Sequence, residues 1–193
     1  MCYNPRIVHS KRGREMKSAA LVNRGMLVVG VAAVAAAIAA AQGGWKVETG
    51  KPFHAAMVKD FYLEGNSIPT EEQNAALLRS PSGGRLLVAL IDTTGYRSEI
   101  KQKYIGMLIA EGGVNVCGQA VGVGSYGFGL DRPAATSKED AKFHLYDQAG
   151  HDVASCSAPR DADLKMPKPL QTVIAKDGTP WLYLGRYRVE LKP

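Results

Sequence analysis

Three features of this chain invite a chemical reading: a glycine run, a histidine-bearing hairpin and a scatter of carboxylates. Gly122-Val123-Gly124-Ser125-Tyr126-Gly127 matches the GxGxxG spacing of a dinucleotide-binding turn. That chemistry needs a helix opening at the last glycine, so that its N-terminus can hold pyrophosphate. Phe128-Gly129-Leu130-Asp131-Arg132-Pro133 follows instead and cannot begin a stable helix, so no nucleotide cofactor is expected. Ser125 nearly sits in a nucleophile elbow. The GxSxG pattern requires glycine two residues before the serine, and Val123 stands there, so Ser125 is not expected to be a nucleophile. Tyr126 and Phe128 could form an exposed aromatic surface for a sugar or a peptide. The blander expectation is that they fill space left by neighbouring glycines inside a sheet. Gly118, Gly122, Gly124, Gly127 and Gly129 are expected to bend or bulge a strand.

His144 and His151 lie on one hairpin, which invites a metal reading. A bound ion needs ligands that converge on one point. In the register expected below, His144 shares a face with Tyr146 while His151 pairs with Asp147 on the other, so no metal site is expected. The remaining candidates are Asp92, Glu111 and Asp131. Asp92 ends an apolar run just before Thr93-Thr94-Gly95, where an acid either catalyses or, more commonly, starts a turn. Carboxylates about 5–9.5 Å apart in a cleft would give these three a glycosidase chemistry. No catalytic residue, metal or other cofactor is assigned from the sequence.

What must position these residues is set first by the leader. Met26–Ala41 is apolar and uncharged, Arg24 closes a basic stretch before it, and Ala39-x-Ala41 follows as a small-residue cleavage pattern. This is the layout of a secretory signal peptide, with Gln42 as the expected mature N-terminus. The long basic region suggests true initiation at Met16. An uncleaved anchor is the alternative, although the apolar run is shorter than the roughly 20 residues of a spanning helix. Domain boundaries follow: residues 1–41 as signal peptide or anchor, 42–56 as a flexible spacer and 57–193 as a β-rich domain.

Charge and cysteine usage narrow the class further. The whole chain has 24 basic and 18 acidic residues, but six of the former and one of the latter lie in residues 1–41. The remainder is almost neutral, so no nucleic-acid partner is expected. After the leader only Cys117 and Cys156 remain. In an oxidising compartment such a pair reads as a disulfide.

Along the domain, short apolar runs alternate with glycine turns and no long amphipathic helix intervenes. Met57–Leu63 is read as a first strand. Thr70–Arg79 could open as a capped helix, since Gln73 stands three residues after Thr70, but Ala75–Arg79 and Arg85–Ile91 around Ser80-Pro81-Ser82-Gly83-Gly84 favour a hairpin. Arg85–Asp92 should be a central strand buried on both faces. Tyr104–Ala110 and Val114–Val121 flank a turn at Glu111-Gly112-Gly113. Phe143–Asp147 and His151–Cys156 flank Gln148-Ala149-Gly150, with Leu145 opposite Val153. Asp177-Gly178 reads as a two-residue hairpin placing Ile174 opposite Trp181. In the last strand Trp181, Tyr183, Tyr187, Val189 and Leu191 would share the core face, with Arg186 and Arg188 solvated on the other.

The fold class expected is all-β, a single antiparallel sandwich or partly open barrel after an N-terminal signal or anchor helix. The function expected is that of an exported, periplasmic or secreted, non-enzymatic domain that binds a protein or glycan partner or supports the envelope. The alternatives are an exported hydrolase or carbohydrate-active enzyme using dispersed carboxylates, and an envelope subunit anchored in the membrane through its uncleaved leader.

Overall fold

A computed structural model describes residues 44–134 and 136–192, and over them the protein is an all-β sandwich of two antiparallel sheets with no closed barrel. The leader, its cleavage residues Ala39, Ala41 and Gln42, and the choice of start site lie outside the described residues. Among those described, no helix is long and apolar enough to cross a membrane.

In chain order the elements are β1 (Lys46–Glu48), α1 (Lys51–Ala56), β2 (Asp60–Leu63), β3 (Asn66–Arg79), β4 (Arg85–Ile91), α2 (Ser98–Lys103), β5 (Gly106–Ala110) and β6 (Val114–Val116). They continue as β7 (Gln119–Val121), β8 (Gly124–Asp131), β9 (Ala141–Tyr146), β10 (Asp152–Ala158), β11 (Gln171–Ile174), β12 (Pro180–Leu184) and β13 (Tyr187–Lys192). The first sheet runs β1-β3-β4-β5-β8-β9-β10 with β2 hairpinned onto β3, and the second runs β11-β12-β13-β6-β7.

Strand alternation explains the layering. Leu86 and Val88 of β4 join Leu108, Phe128, Phe143 and Leu145 in a core that also takes Leu182, Leu184, Val189 and Leu191 from the second sheet. Leu87, Ala89 and Ile91 point the other way, into a second cluster with Met107, the β2–β3 hairpin residues Phe61, Leu63 and Ile68, and Ile100 and Tyr104. Every side chain of β4 from Leu86 to Ile91 therefore meets apolar neighbours, which is why its sequence is a near-continuous apolar run. The two-sided central strand is as expected from the sequence.

Three hairpins form where turn chemistry calls for them, and two of them differ in register. Arg79 pairs with Arg85, so Thr70–Arg79 is strand and the capped helix is not formed. Gly150 closes its loop with positive φ, but a bulge between Asp152 and Ala154 sets Ala154, not Val153, opposite Leu145. At Asp177-Gly178 the loop holds three residues, not two: Ala175 donates to Thr179, and Ile174 pairs with Pro180. That one-residue slip turns every side chain of β12 over. A further two-residue turn at Gly185-Arg186 splits the final strand, pairing Leu184 with Tyr187. Leu182 and Leu184, rather than Trp181 and Tyr183, therefore face the core.

Residues 42–56 are not a flexible spacer where they are described. Trp45 is buried in the inter-sheet core, β1 pairs with β3, and Arg79 Nε donates to Glu48 Oε1 at 2.6 Å. The strand expected over Met57–Leu63 begins at Asp60, because Met57 caps α1 by donating its N–H to Phe53. Glu111-Gly112-Gly113 joins strands of different sheets rather than a hairpin, and Val114–Val121 is itself a hairpin folded at Cys117-Gly118.

Cys117 and Cys156 form a disulfide, with α carbons 5.3 Å apart. It links the β6–β7 turn of the second sheet to β10, the last strand of the first. The bridge expected from the sequence thus staples one sheet to the other.

Candidate functional site

A connected group of ionisable side chains lies on the outer face of the first sheet, and glycines make room for it. Gly127 and Gly129 of β8 point to that face. A Cβ on Gly127 would come within 2.8 Å of the Tyr104 ring, and one on Gly129 would run into the carbonyl oxygen of Lys103. Without side chains there, the end of α2 lies directly on the strand. The expectation of a bent or bulged strand is corrected: β8 pairs in regular register with both β5 and β9.

Glu64 completes the group from the turn between β2 and β3. That loop has two residues, Glu64-Gly65, both with positive φ (47° and 76°), the pattern of a type I′ hairpin turn, which favours asparagine, aspartate or glycine at its first position. Glutamate is strained there, and its carboxylate makes two hydrogen bonds in return. Glu64 Oε1 accepts from Lys103 Nζ at 2.6 Å and from the Tyr104 hydroxyl at 2.7 Å. Lys103 Nζ also donates to the Gly150 carbonyl at 2.7 Å and stands 4.8 Å and 5.2 Å from the centres of the Tyr146 and Tyr104 rings. Such placement adds cation–π attraction to the ion pair.

Electrostatics follow the contacts. Hydrogen bonds from Lys103 and then Tyr104 hold the Glu64 carboxyl below the ordinary carboxylate value. Burial, reinforced by the Glu64 hydrogen bond, pushes the Tyr104 hydroxyl far above the ordinary phenol value. Burial also raises Tyr146, with Asp152 and Asp131 adding to it. His144 stacks on Tyr146, ring centres 5.8 Å apart, with Asp131 3.2 Å from one ring nitrogen and Asp152 3.4 Å from the other. Those carboxylates flank opposite edges of the imidazole, so the three cannot converge on one ion. Among the described residues no group of three His, Cys, Asp or Glu is placed to hold a metal.

A general base must be free to reach a substrate proton. In this group the most buried acid, Tyr104, already donates to Glu64, and the Lys103 ammonium is held between Glu64, a carbonyl and two rings. The arrangement locks the β2–β3 hairpin, α2 and the β9–β10 loop to one another. It is a structural clasp, and its members Glu64, Lys103, Tyr104 and Tyr146 were not singled out from the sequence. The one local signal was Glu64-Gly65, a hairpin turn with an unusual first residue.

Other residues singled out from the sequence are placed apart. Phe128 is fully buried against Phe143, and Tyr126 packs on the same core with its hydroxyl donating to Gly122, so the exposed aromatic surface is not formed. Phe128 occupies the space over Gly106, which has no side chain to oppose it. Asp92 caps the turn after β4 by accepting from the Thr94 N–H. Glu111 forms an ion pair with Arg85, whose Nε donates at 2.7 Å, at the other end of the same strand. Seven residues of strand separate Asp92 from Glu111 by about 20 Å, beyond the spacing a glycosidase pair needs. Asp131 shares the Asp92 end of the sheet with β5 between them. Ser125 pairs with Ile109 inside the sheet. His151 and Asp147 pair at 3.0 Å, away from His144, as the hairpin register implied.

The second sheet holds the other polar region. Because of the register slip, Trp181 and Tyr183 share the outer face with Arg188, whose guanidinium lies 4.6 Å over the Trp181 ring. Tyr183 donates to Asp161 at 2.9 Å. Arg186 Nη1 donates to the carbonyls of Asp161, Ala162 and Leu164. Both arginines are thus engaged with the protein rather than simply solvated. Beside Arg186, the turn at Gly185 and the segments around Arg132, Arg160 and Lys168 border a groove of about 530 Å³. No local sequence signal unites these four cations, which come from four separate segments.

No family model, curated relative or solved structure matches the chain.

Proposed function

We propose that this chain is an exported, non-enzymatic β-sandwich that binds a partner outside the cytoplasm. The observation that carries the proposal is the Cys117–Cys156 bridge between the two sheets. A structural disulfide of this kind persists in oxidising compartments and is rare where thiols are kept reduced. The leader, with its basic, apolar and small-residue segments, supports the same compartment. A binding role is favoured over chemistry because the titratable residues of the first sheet face one another rather than a cleft.

Expression of the full chain followed by fractionation tests this reading. The expected product is exported protein beginning at Gln42, in which neither Cys117 nor Cys156 labels after unfolding without reductant. Recovery of an intact Met26–Ala41 segment in the membrane fraction, with the same oxidised pair, gives the anchored form of the same role. A cytoplasmic product with two labelled thiols would overturn it.

A further inference from the structure

We propose that the groove bordered by Arg132, Arg160, Lys168 and Arg186 is a binding site for an organic phosphate. This names a site for the binding role above, yet its test is independent of where the protein resides.

The groove carries charge without a counter-charge. Four cations line the groove and no carboxylate does. Three aspartates lie beside these arginines in sequence or nearby, but each is turned to another partner. Asp131 lies against His144, Asp140 accepts from Ser157 and from the backbone N–H of Arg160, and Asp161 accepts from Tyr183. Among the described residues, none of the four cations has an ion-pair partner within 4 Å. Concentrating like charges in one concavity is unfavourable by itself and raises the local concentration of anions.

The geometry suits an oxyanion. Arg186 is fixed by the three carbonyls that accept from its Nη1, so its remaining N–H groups are presented in a set direction. Guanidinium forks match phosphate oxygens with paired hydrogen bonds, and three of the four cations are arginines. A carboxylate brings one charge to this site, whereas a phosphate monoester brings close to two. Size and lining suit an ester rather than a bare ion. About 530 Å³ is more than a bare ion fills and falls in the range of small-molecule sites. Pro167, Pro169 and Tyr187 add an apolar wall, suited to the carbon part of a phosphate ester.

The test is calorimetric titration of the protein purified after full-chain expression, using glycerol 3-phosphate and glucose 6-phosphate as probes, with sulfate and acetate as controls. Saturable binding of at least one ester is expected, tighter than either control. Arg160→Gln with Lys168→Gln should weaken it by about tenfold or more, while Lys59→Gln, an exposed cation outside the groove, should leave it unchanged. Arg132→Gln is the fallback if the double variant fails to fold, with a smaller loss expected. No saturable binding would overturn the proposal, as would equal weakening by Lys59→Gln or equal binding of sulfate and acetate. Binding of phosphatidylglycerol vesicles or of an oligonucleotide, without binding of either ester, would overturn it in favour of a macromolecular surface.

Discussion

The clasp around Glu64 and the groove beside Arg186 both collect charged and aromatic side chains, yet they differ in what those charges face. In the clasp, Lys103 meets Glu64, a carbonyl and two rings, and Tyr104 is 1% exposed beneath them. Around the groove, Arg132, Arg160 and Lys168 face an open concavity. A perturbed titratable cluster is a common pointer to a functional site, although structural networks perturb their members equally. The difference teaches that complementarity inside a cluster marks a role in the fold, whereas uncompensated charge in a cavity leaves something for a ligand to do.

The largest expected effect belongs to the covalent staple that holds both regions on one body. Replacing Cys117 and Cys156 by serine frees a loop spanning 39 residues, and chemical denaturation should show a loss of about 3–4 kcal/mol. A loss near zero would mean that the two sheets stay docked through the inter-sheet core alone.

Breaking the clasp comes next. Glu64→Gln removes the charge that pairs with Lys103 while keeping an acceptor oxygen, and since the side chain is still 30% exposed, a loss of about 1–1.5 kcal/mol is expected in urea. The pH dependence has a definite sign. The folded Glu64 carboxyl titrates below its unfolded value of 4.5, so its contribution is complete above that value and is lost as pH falls through the lower folded one. The gap between wild type and Glu64→Gln should therefore close in acid. A constant gap down to low pH would show that the side-chain shape, not the charge, matters. Glu64→Gly should cost less than Glu64→Ala, because glycine relieves the positive φ.

How far these regions were readable from the sequence depended on how local their determinants are. The hairpin at Ser80–Gly84 and the two-sided β4 follow from turn residues and an apolar run, both confined to a few neighbours. At Asp177-Gly178 the same dipeptide suits a two-residue loop or the end of a three-residue one. The structure takes the second, with Gly178 at φ 87°, and the one-residue shift puts Trp181 and Tyr183 on the outer face instead of the core face. The clasp joins residues 64, 103, 104, 146 and 150, and the groove joins 132, 160, 168 and 186. Both are products of topology, which no local pattern encodes. The glycines of β8 were noticed, but their purpose was visible only once α2 lay on them.

On the outer face of the second sheet, Arg188→Gln removes the cation over Trp181, and a loss of about 0.5–1 kcal/mol is expected from thermal unfolding. This is smaller than the clasp effect because it removes one cation–ring contact, whereas the Glu64 carboxylate accepts two hydrogen bonds. A loss as large as that of Glu64→Gln would rank this contact with the clasp.

The smallest effect on folding should come from the groove itself, and it carries the central contrast. The Arg132→Gln/Arg160→Gln/Lys168→Gln variant should unfold within about 0.5 kcal/mol of wild type, since exposed cations without partners contribute little to the fold. Thermal unfolding of this variant and of wild type, each with and without glycerol 3-phosphate, tests the claim most directly. A ligand that binds only the folded state raises its melting temperature. The ester should raise the melting temperature of wild type alone, while the two proteins coincide without it. A variant that melts far below wild type in the absence of ester, or that is stabilised by it equally, would contradict the division between a clasp that holds the fold and a groove that holds a ligand.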